Sequence, residues 1–186
     1  MSLPRFSLNF APMNARTLEK LKTFKTFIFD IDGVLTTGNV LVTEEGHMLR
    51  SVNIKDGFAL QHAVKQGYNI AIISGGNSQG MLHRFQGLGI KEVYLGQNNK
   101  MAAFEKVCSD FGVNEKEVAY MGDDMPDFPI LKKAGLAVCP EDASADIKEI
   151  CHEVLMVAGG QGCARLLLET AMKLQDTWHN DDTHTW

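Results

Sequence analysis

Several carboxylates in this chain stand where short apolar runs end. Residues 26–29 run into Asp30-Ile31-Asp32-Gly33, residues 118–121 into Gly122-Asp123-Asp124, and Asp127 follows one turn later. Ser74-Gly75-Gly76 closes a third apolar run, and Lys100 opens an amphipathic stretch. Residues two apart on a strand point the same way, so Asp30 and Asp32 start on one face. Gathered carboxylates repel and raise one another's pKa unless a cation neutralises them. The set holds oxygen donors only, without thiolate or imidazole, and that composition suits Mg²⁺ with waters and a phosphate oxygen. An EF-hand calcium loop is excluded, because Asp30-Ile31-Asp32-Gly33 lacks the later ligands and the bidentate Glu. Each Asp alone reads equally well as a solvated loop acid; the recurrence at successive run ends carries the weight.

The elements that must position these groups alternate. Residues 26–31, 69–73, 92–95, 118–121 and 135–139 read as short buried strands, with a sixth over 153–157. Helical patterns cover residues 58–65, 78–88, 100–111, 127–133 and 163–174. Such alternation predicts right-handed βαβ units and an α/β, doubly wound parallel sheet with helices on both faces. Ligands of such sheets gather at the carboxyl ends of the strands, where the acids stand. One segment breaks the pattern: Asn39-Val40-Leu41-Val42-Thr43, a turn at Glu44-Glu45-Gly46, then residues 47–54 predict an inserted β-hairpin. An isolated hairpin is marginal in water, so it must pack on something. The expected division is an N-terminal extension over 1–23, a domain over 24–176 with its hairpin at about 37–54, and a tail over 177–186. That polar tail holds both tryptophans, Trp178 and Trp186, so docking competes evenly with fraying.

Composition removes other classes. A chain of 186 residues, 45% hydrophobic and 22% charged, fits one soluble domain. A net charge of −5 without a basic stripe argues against nucleic acid. No apolar run approaches the ~20 residues that cross a membrane, and the start lacks a signal-peptide core. The expected compartment is the cytoplasm, and Met1-Ser2-Leu3 also reads as an expression scar. Cys108, Cys139, Cys151 and Cys163 show no metal or disulfide spacing and read as buried thiols. Gly75-Gly76-Asn77-Ser78-Gln79-Gly80 opens a helix but lacks the dinucleotide spacing and its later acid. Ser74 is no hydrolase elbow, since Ile72 replaces the required glycine.

Asp30-Ile31-Asp32-Gly33-Val34-Leu35-Thr36, Ile73-Ser74-Gly75, Lys100 and the run from Gly122 to Asp127 resemble the four motifs of the haloacid dehalogenase-like phosphatases, in that family's order. A hairpin flap in place of a cap domain, with Asn53-Ile54-Lys55-Asp56-Gly57, Gly96-Gln97-Asn98-Asn99-Lys100 and Gly159-Gly160-Gln161-Gly162, is similar to the small capless tetrameric branch. That branch acts on 3-deoxy-D-manno-octulosonate 8-phosphate (KDO 8-phosphate) and related nonulosonate 9-phosphates. The resemblance implies Asp30 as nucleophile and Asp32 as general acid and base. It implies Mg²⁺ held by Asp30, Asp123 and the carbonyl of Asp32, with phosphate bound by Ser74, Gly75 and Lys100. Asp124 and Asp127 would orient Lys100 or a metal ligand, Thr36 would belong to the substrate contacts, and the glycines at 159–162 would border the site.

The same resemblance implies a homotetramer whose hairpins pair, with a neighbour roofing each site and Trp178 reaching across. Six apolar hairpin residues, from Val40 to Ile54, exceed what one hairpin hides. The expected substrate is a small phosphorylated sugar acid, with Lys55, and more weakly Arg50, contacting its sugar or carboxylate. Two departures are visible: Gly76 stands where KDO 8-phosphate phosphatases commonly carry Arg, and Gln161 where they often carry another. Both remove a guanidinium, which keeps nonulosonate 9-phosphates in competition. The alternative from another class is a phospho-accepting receiver module, disfavoured because its acidic pair precedes its phosphorylated Asp.

Overall fold

The structure is a computed structural model and describes residues 13–179. Its centre is β1 (Thr26–Phe29), all four residues of which are buried. On one side β1 pairs in parallel with β4 (Asn69–Ile73), which pairs with β5 (Glu92–Tyr94). On the other it pairs with β6 (Val118–Met121), followed by β7 (Leu136–Cys139) and β8 (Glu153–Val154). The order β5-β4-β1-β6-β7-β8 makes β1 the point where the winding reverses. A crevice therefore opens beyond the ends of β1, β4 and β6.

Strand period places alternate side chains in two cores. Phe27 and Phe29 join one cluster, backed by α2 (Ile54–Lys65) and α7 (Cys163–Leu174). Ile28 joins the other with Ala71, Ile73, Val118 and Tyr120, covered by α4 (Lys100–Phe111) and α5 (Phe128–Lys133). Burying each large apolar side chain stabilises the fold by about 1.5–3 kcal/mol, and two filled faces hold β1 rigidly. All four cysteines are free, and three of them are buried. Among the described residues no helix is long and apolar enough to cross a membrane.

The elements differ from expectation in four places. The hairpin is only β2 (Leu41–Val42) against β3 (Met48–Leu49), because Asn53 caps a helix that begins at Ile54. Within the expected N-terminal extension, α1 (Ala15–Leu21) packs on α7, with Asn14 accepting from the Thr17 amide and Leu21 fully buried. Met13 and Leu21 therefore join the core from this stretch, with Leu18 packed against it, while residues 1–12 lie outside the described chain. Between β7 and β8 stands a short helix, α6 (Ala145–Ile150), with Ile147 buried. Trp178 is 4% exposed and packs edge-on against Phe58 and His62 of its own α2, with the Arg165 guanidinium 5.0 Å from the ring. Its indole thus packs within its own chain. Trp186 lies outside the described residues.

Candidate active site

Asp30 follows β1 directly, and its amide donates to the Met121 carbonyl at 3.0 Å, extending the ladder by one residue. That bond carries the carboxylate to the crevice floor, where it is 4% exposed. The chain then turns sharply. Gly33 takes φ +90°, and a Cβ there would stand 2.0 Å from Asp123 Oδ2, so only glycine lets the two strand ends approach. Thr36 closes this turn: its hydroxyl donates to the Ile31 carbonyl at 3.2 Å and accepts from the amides of Gly33 and Gly38, each at 3.3 Å. Thr36 is 1% exposed and does not line the cavity, so the expected substrate contact is replaced by a structural bond set.

Asp30, Asp32, Ser74, Gly75, Lys100, Asp123, Asp124 and Asp127 line one cavity of about 330 Å³, joined by Gly38, Gly76 and Pro126, whereas Lys55 and Arg50 do not. Ser74 arrives after β4, its amide donating to the Tyr94 carbonyl at 2.9 Å and its Oγ accepting from the Gly76 amide at 3.1 Å. Gly75 lies beside it on the wall. Lys100 is the first residue of α4, where Asn99 caps the helix by accepting from the amides of Met101 and Ala102. Lys55 is exposed on the first turn of α2, outside this cavity, because the helix begins where the hairpin was expected to continue.

Charge is concentrated around Asp127. Lys100 Nζ lies 2.8 Å from Asp127 Oδ1 and 2.9 Å from Asp30 Oδ1. The Tyr120 hydroxyl donates to the same Asp127 oxygen at 2.5 Å, and the Asp123 amide donates to Asp127 Oδ2 at 3.2 Å. Both Asp127 oxygens are therefore engaged in holding neighbours. One oxygen each from Asp30, Asp123 and Asp127 lies within 4.8 Å of the others. Burial, then the Asp127 charge, pushes the Asp30 carboxyl well above the usual carboxylate range, against the pull of Lys100. The same two causes bring Asp123 to about 7. Burial would lower the Lys100 ammonium, but Asp30 and Asp127 hold it above its ordinary value.

This arrangement fits a hard divalent cation. Asp30 Oδ1 is buried, with the Lys100 ammonium 2.9 Å away. The donors are all carboxylate oxygens, and the raised Asp30 and Asp123 report an anionic crowd that one Mg²⁺ would relieve. Asp32 stands apart from the trio: its side chain lies at the rim, gripped by Arg50 of the flap, so only its backbone could join a metal set. Asp124 is exposed on the wall.

Two functional neighbours were not legible beforehand. Tyr120 belongs to the buried run of β6, yet its hydroxyl fixes Asp127; a tyrosine two residues before Gly122-Asp123 in an otherwise apolar run is the available signal. Arg50 was ranked below Lys55, and no local pattern shows which of two hairpin cations folds back. The glycines at 159–162 do border the catalytic turn: a Cβ on Gly159 would stand 1.9 Å from the Gly33 carbonyl oxygen, and the Gly160 amide donates to Val34 at 2.8 Å.

Comparison with known proteins agrees with this geometry. A family model of haloacid dehalogenase-like hydrolases matches residues 91–167. The chain is 31% identical over 166 residues to the 3-deoxy-D-manno-octulosonate 8-phosphate phosphatase KdsC of Escherichia coli, covering 89% of this chain and 88% of that protein. Its fold is similar to the phosphatase of the same description from Yersinia pestis, with TM-score 0.85 and 28% identity over 88% of both chains. It is also similar to the Moraxella catarrhalis phosphatase solved with magnesium, phosphate and KDO, with TM-score 0.83 and 28% identity, covering 88% of this chain and 94% of that one.

Proposed function

This chain belongs to the haloacid dehalogenase-like phosphatases, and from that membership we propose a Mg²⁺-dependent phosphomonoesterase that hydrolyses a sugar-acid phosphate, KDO 8-phosphate first. The observation that carries this reading is the seat of Asp30. It is a buried carboxylate at the end of the central strand, 2.9 Å from Lys100 and beside Asp123 and Asp127. A phospho-accepting receiver module is set aside by the end-to-end similarity to phosphatases.

Asp30 attacks phosphorus, forming an acyl phosphate as the bond to the sugar oxygen breaks. From the rim, Asp32 gives a proton to that leaving oxygen. Water then attacks the phosphorus of the aspartyl-phosphate while Asp32 takes a proton from it, releasing phosphate and restoring Asp30. Dividing the displacement into two steps, with acid and base help of about 10²–10⁴-fold, accounts for the use of two aspartates. Lys100 places its charge on the transferring group, and Asp127 with Tyr120 keeps it aimed. Ser74 and the Gly75 amide receive phosphoryl oxygens on the facing wall. When bound by Asp30, Asp123 and the Asp32 carbonyl, Mg²⁺ supplies the positive charge that lets a carboxylate meet an anionic phosphate.

Asp30→Asn is expected to abolish Mg²⁺-dependent hydrolysis of 4-nitrophenyl phosphate with an unchanged circular dichroism spectrum. Retained turnover would overturn the nucleophile. The substrate is tested by kcat/KM for KDO 8-phosphate, nonulosonate 9-phosphates and hexose phosphates. KDO 8-phosphate is expected to lead, and equal values would end the sugar-acid reading. A nonulosonate 9-phosphate is the second reading, supported by the absent side chain at Gly76 and the Gln at 161.

A further inference from the structure

We propose that Arg50 is the positioning residue for Asp32, so that the seat of the flap hairpin sets the aim of the acid–base carboxylate. The inference rests on the reading of Asp32 as proton donor and acceptor. Arg50 comes directly after β3 and turns back into the site. Its Nε donates to Asp32 Oδ1 at 2.7 Å and its Nη2 to Oδ2 at 2.9 Å, a two-pronged pairing that fixes the plane of the carboxylate as well as its distance. The Arg50 side chain is only 7% exposed, whereas Asp32 is 32% exposed. The guanidinium is thus the more enclosed side chain of the pair, and the carboxylate the more exposed one.

The surroundings make room for this pair. A Cβ at Gly76 would stand 3.0 Å from both Arg50 Nη2 and Asp32 Oδ2, so any side chain there crowds the pair. The glycine that removes one guanidinium from the phosphate wall thereby admits another from the flap. Arg50 also lines a groove of about 450 Å³ at the root of the hairpin, with Thr37, Asn39, Leu41, Leu49 and Ser51. Asp32 lines the catalytic cavity, so the pair links a residue of one space to a residue of the other. A shift of the hairpin is transmitted to Asp32 through two short bonds. Catalytic groups must be held within about 0.5 Å, and a 1 Å misplacement costs about 10²-fold.

The test is the leaving-group dependence of kcat/KM across phosphate monoesters, from 4-nitrophenyl phosphate to simple alkyl phosphates. A poor leaving group needs the Asp32 proton most. Arg50→Ala is expected to lower kcat/KM about 100-fold for alkyl phosphates and about tenfold less for the nitrophenyl ester, steepening the dependence. Arg50→Lys recovers part of the loss, since an ammonium holds one oxygen but cannot hold both in a plane. Gly76→Ala, which crowds the pair from the opposite side, shows the same steepening at smaller size. Arg50→Ala combined with Asp32→Asn falls no lower than Asp32→Asn alone. An equal Arg50→Ala loss on every ester, or losses that multiply in the double variant, would overturn the inference and leave the phosphatase reading intact. An Asp32→Asn variant losing equally on every ester would overturn the acid–base reading itself, and this inference with it.

Discussion

Asp123 shows how the site trades stability for cation binding. Burial and the charge of Asp127 lift its carboxyl from 3.8 to about 7. Between those values the folded chain keeps a proton that the unfolded chain has released. The metal-free fold therefore loses stability as pH rises through that window, and loses no more above it. Asp123→Asn removes the ionisation while keeping the shape. It is expected to stabilise the metal-free protein at pH 7.5 by about 1–2 kcal/mol, allowing for solvent screening of this half-buried group. Each 1 kcal/mol corresponds to about 2–4 °C in melting temperature. Thermal scans at pH 5 and 7.5, with and without Mg²⁺, check this. The gain should shrink at pH 5, where only part of that window has been crossed, and the variant should no longer be stabilised by Mg²⁺. A wild type whose metal-free stability rises from pH 5 to 7.5 would contradict the sign.

The catalytic turn is held by a second turn far along the chain. Gly159 and Gly160 meet residues 33–37 backbone against backbone, and the Gly159 amide is fixed by Asp142 Oδ1 at 2.8 Å. Only an absent Cβ permits that approach. Gly159→Ala must displace the Gly33 carbonyl, one residue from Asp32 and three from the nucleophile. Crowding of this kind costs about 1–3 kcal/mol, and a misplacement of about 1 Å costs about 10²-fold in rate. The expected variant is folded but nearly inactive, read by melting temperature beside kcat/KM. Wild-type turnover would show that the two loops are not coupled. The hairpin, by contrast, gains little from its own two residue pairs, and Arg50 links it to the domain's chemistry.

On the scale of the whole molecule, apolar surface is left uncovered at one end. Leu41, Val42, Met48, Leu49 and Ile54 are each more than half exposed, a cluster unusual for a stable monomer. We propose that these hairpins pair among four copies, roofing each cavity. Light scattering is expected to give about four times the chain mass of 20.6 kDa. Leu41→Lys with Leu49→Lys is expected to dissociate the assembly at micromolar concentration. A wild type that stays at the mass of one chain would refute the assembly.

Much of this was legible before any coordinates. Apolar runs ending in Asp30, Ser74 and Asp123, with Lys100 between them in the chain, dictate their own geometry. A parallel sheet places every strand end on one edge, and local pattern suffices to find strand ends. Lys55 and Thr36 lie outside the cavity because their places depend on where a helix starts and how a turn closes. Short elements such as Ala15–Leu21 and Ala145–Ile150 have too few residues for a periodic signal, and packing on larger neighbours decides them. Trp178 needed α2 to dock on, and Arg50 needed the empty space at Gly76 and a carboxylate eighteen positions earlier. The sequence by itself determined the sheet, its order of acids and the chemistry of their oxygens, since these follow from residue type and period. Only the tertiary structure decided which cation meets which carboxylate, because such pairings depend on distances between segments that no local pattern encodes.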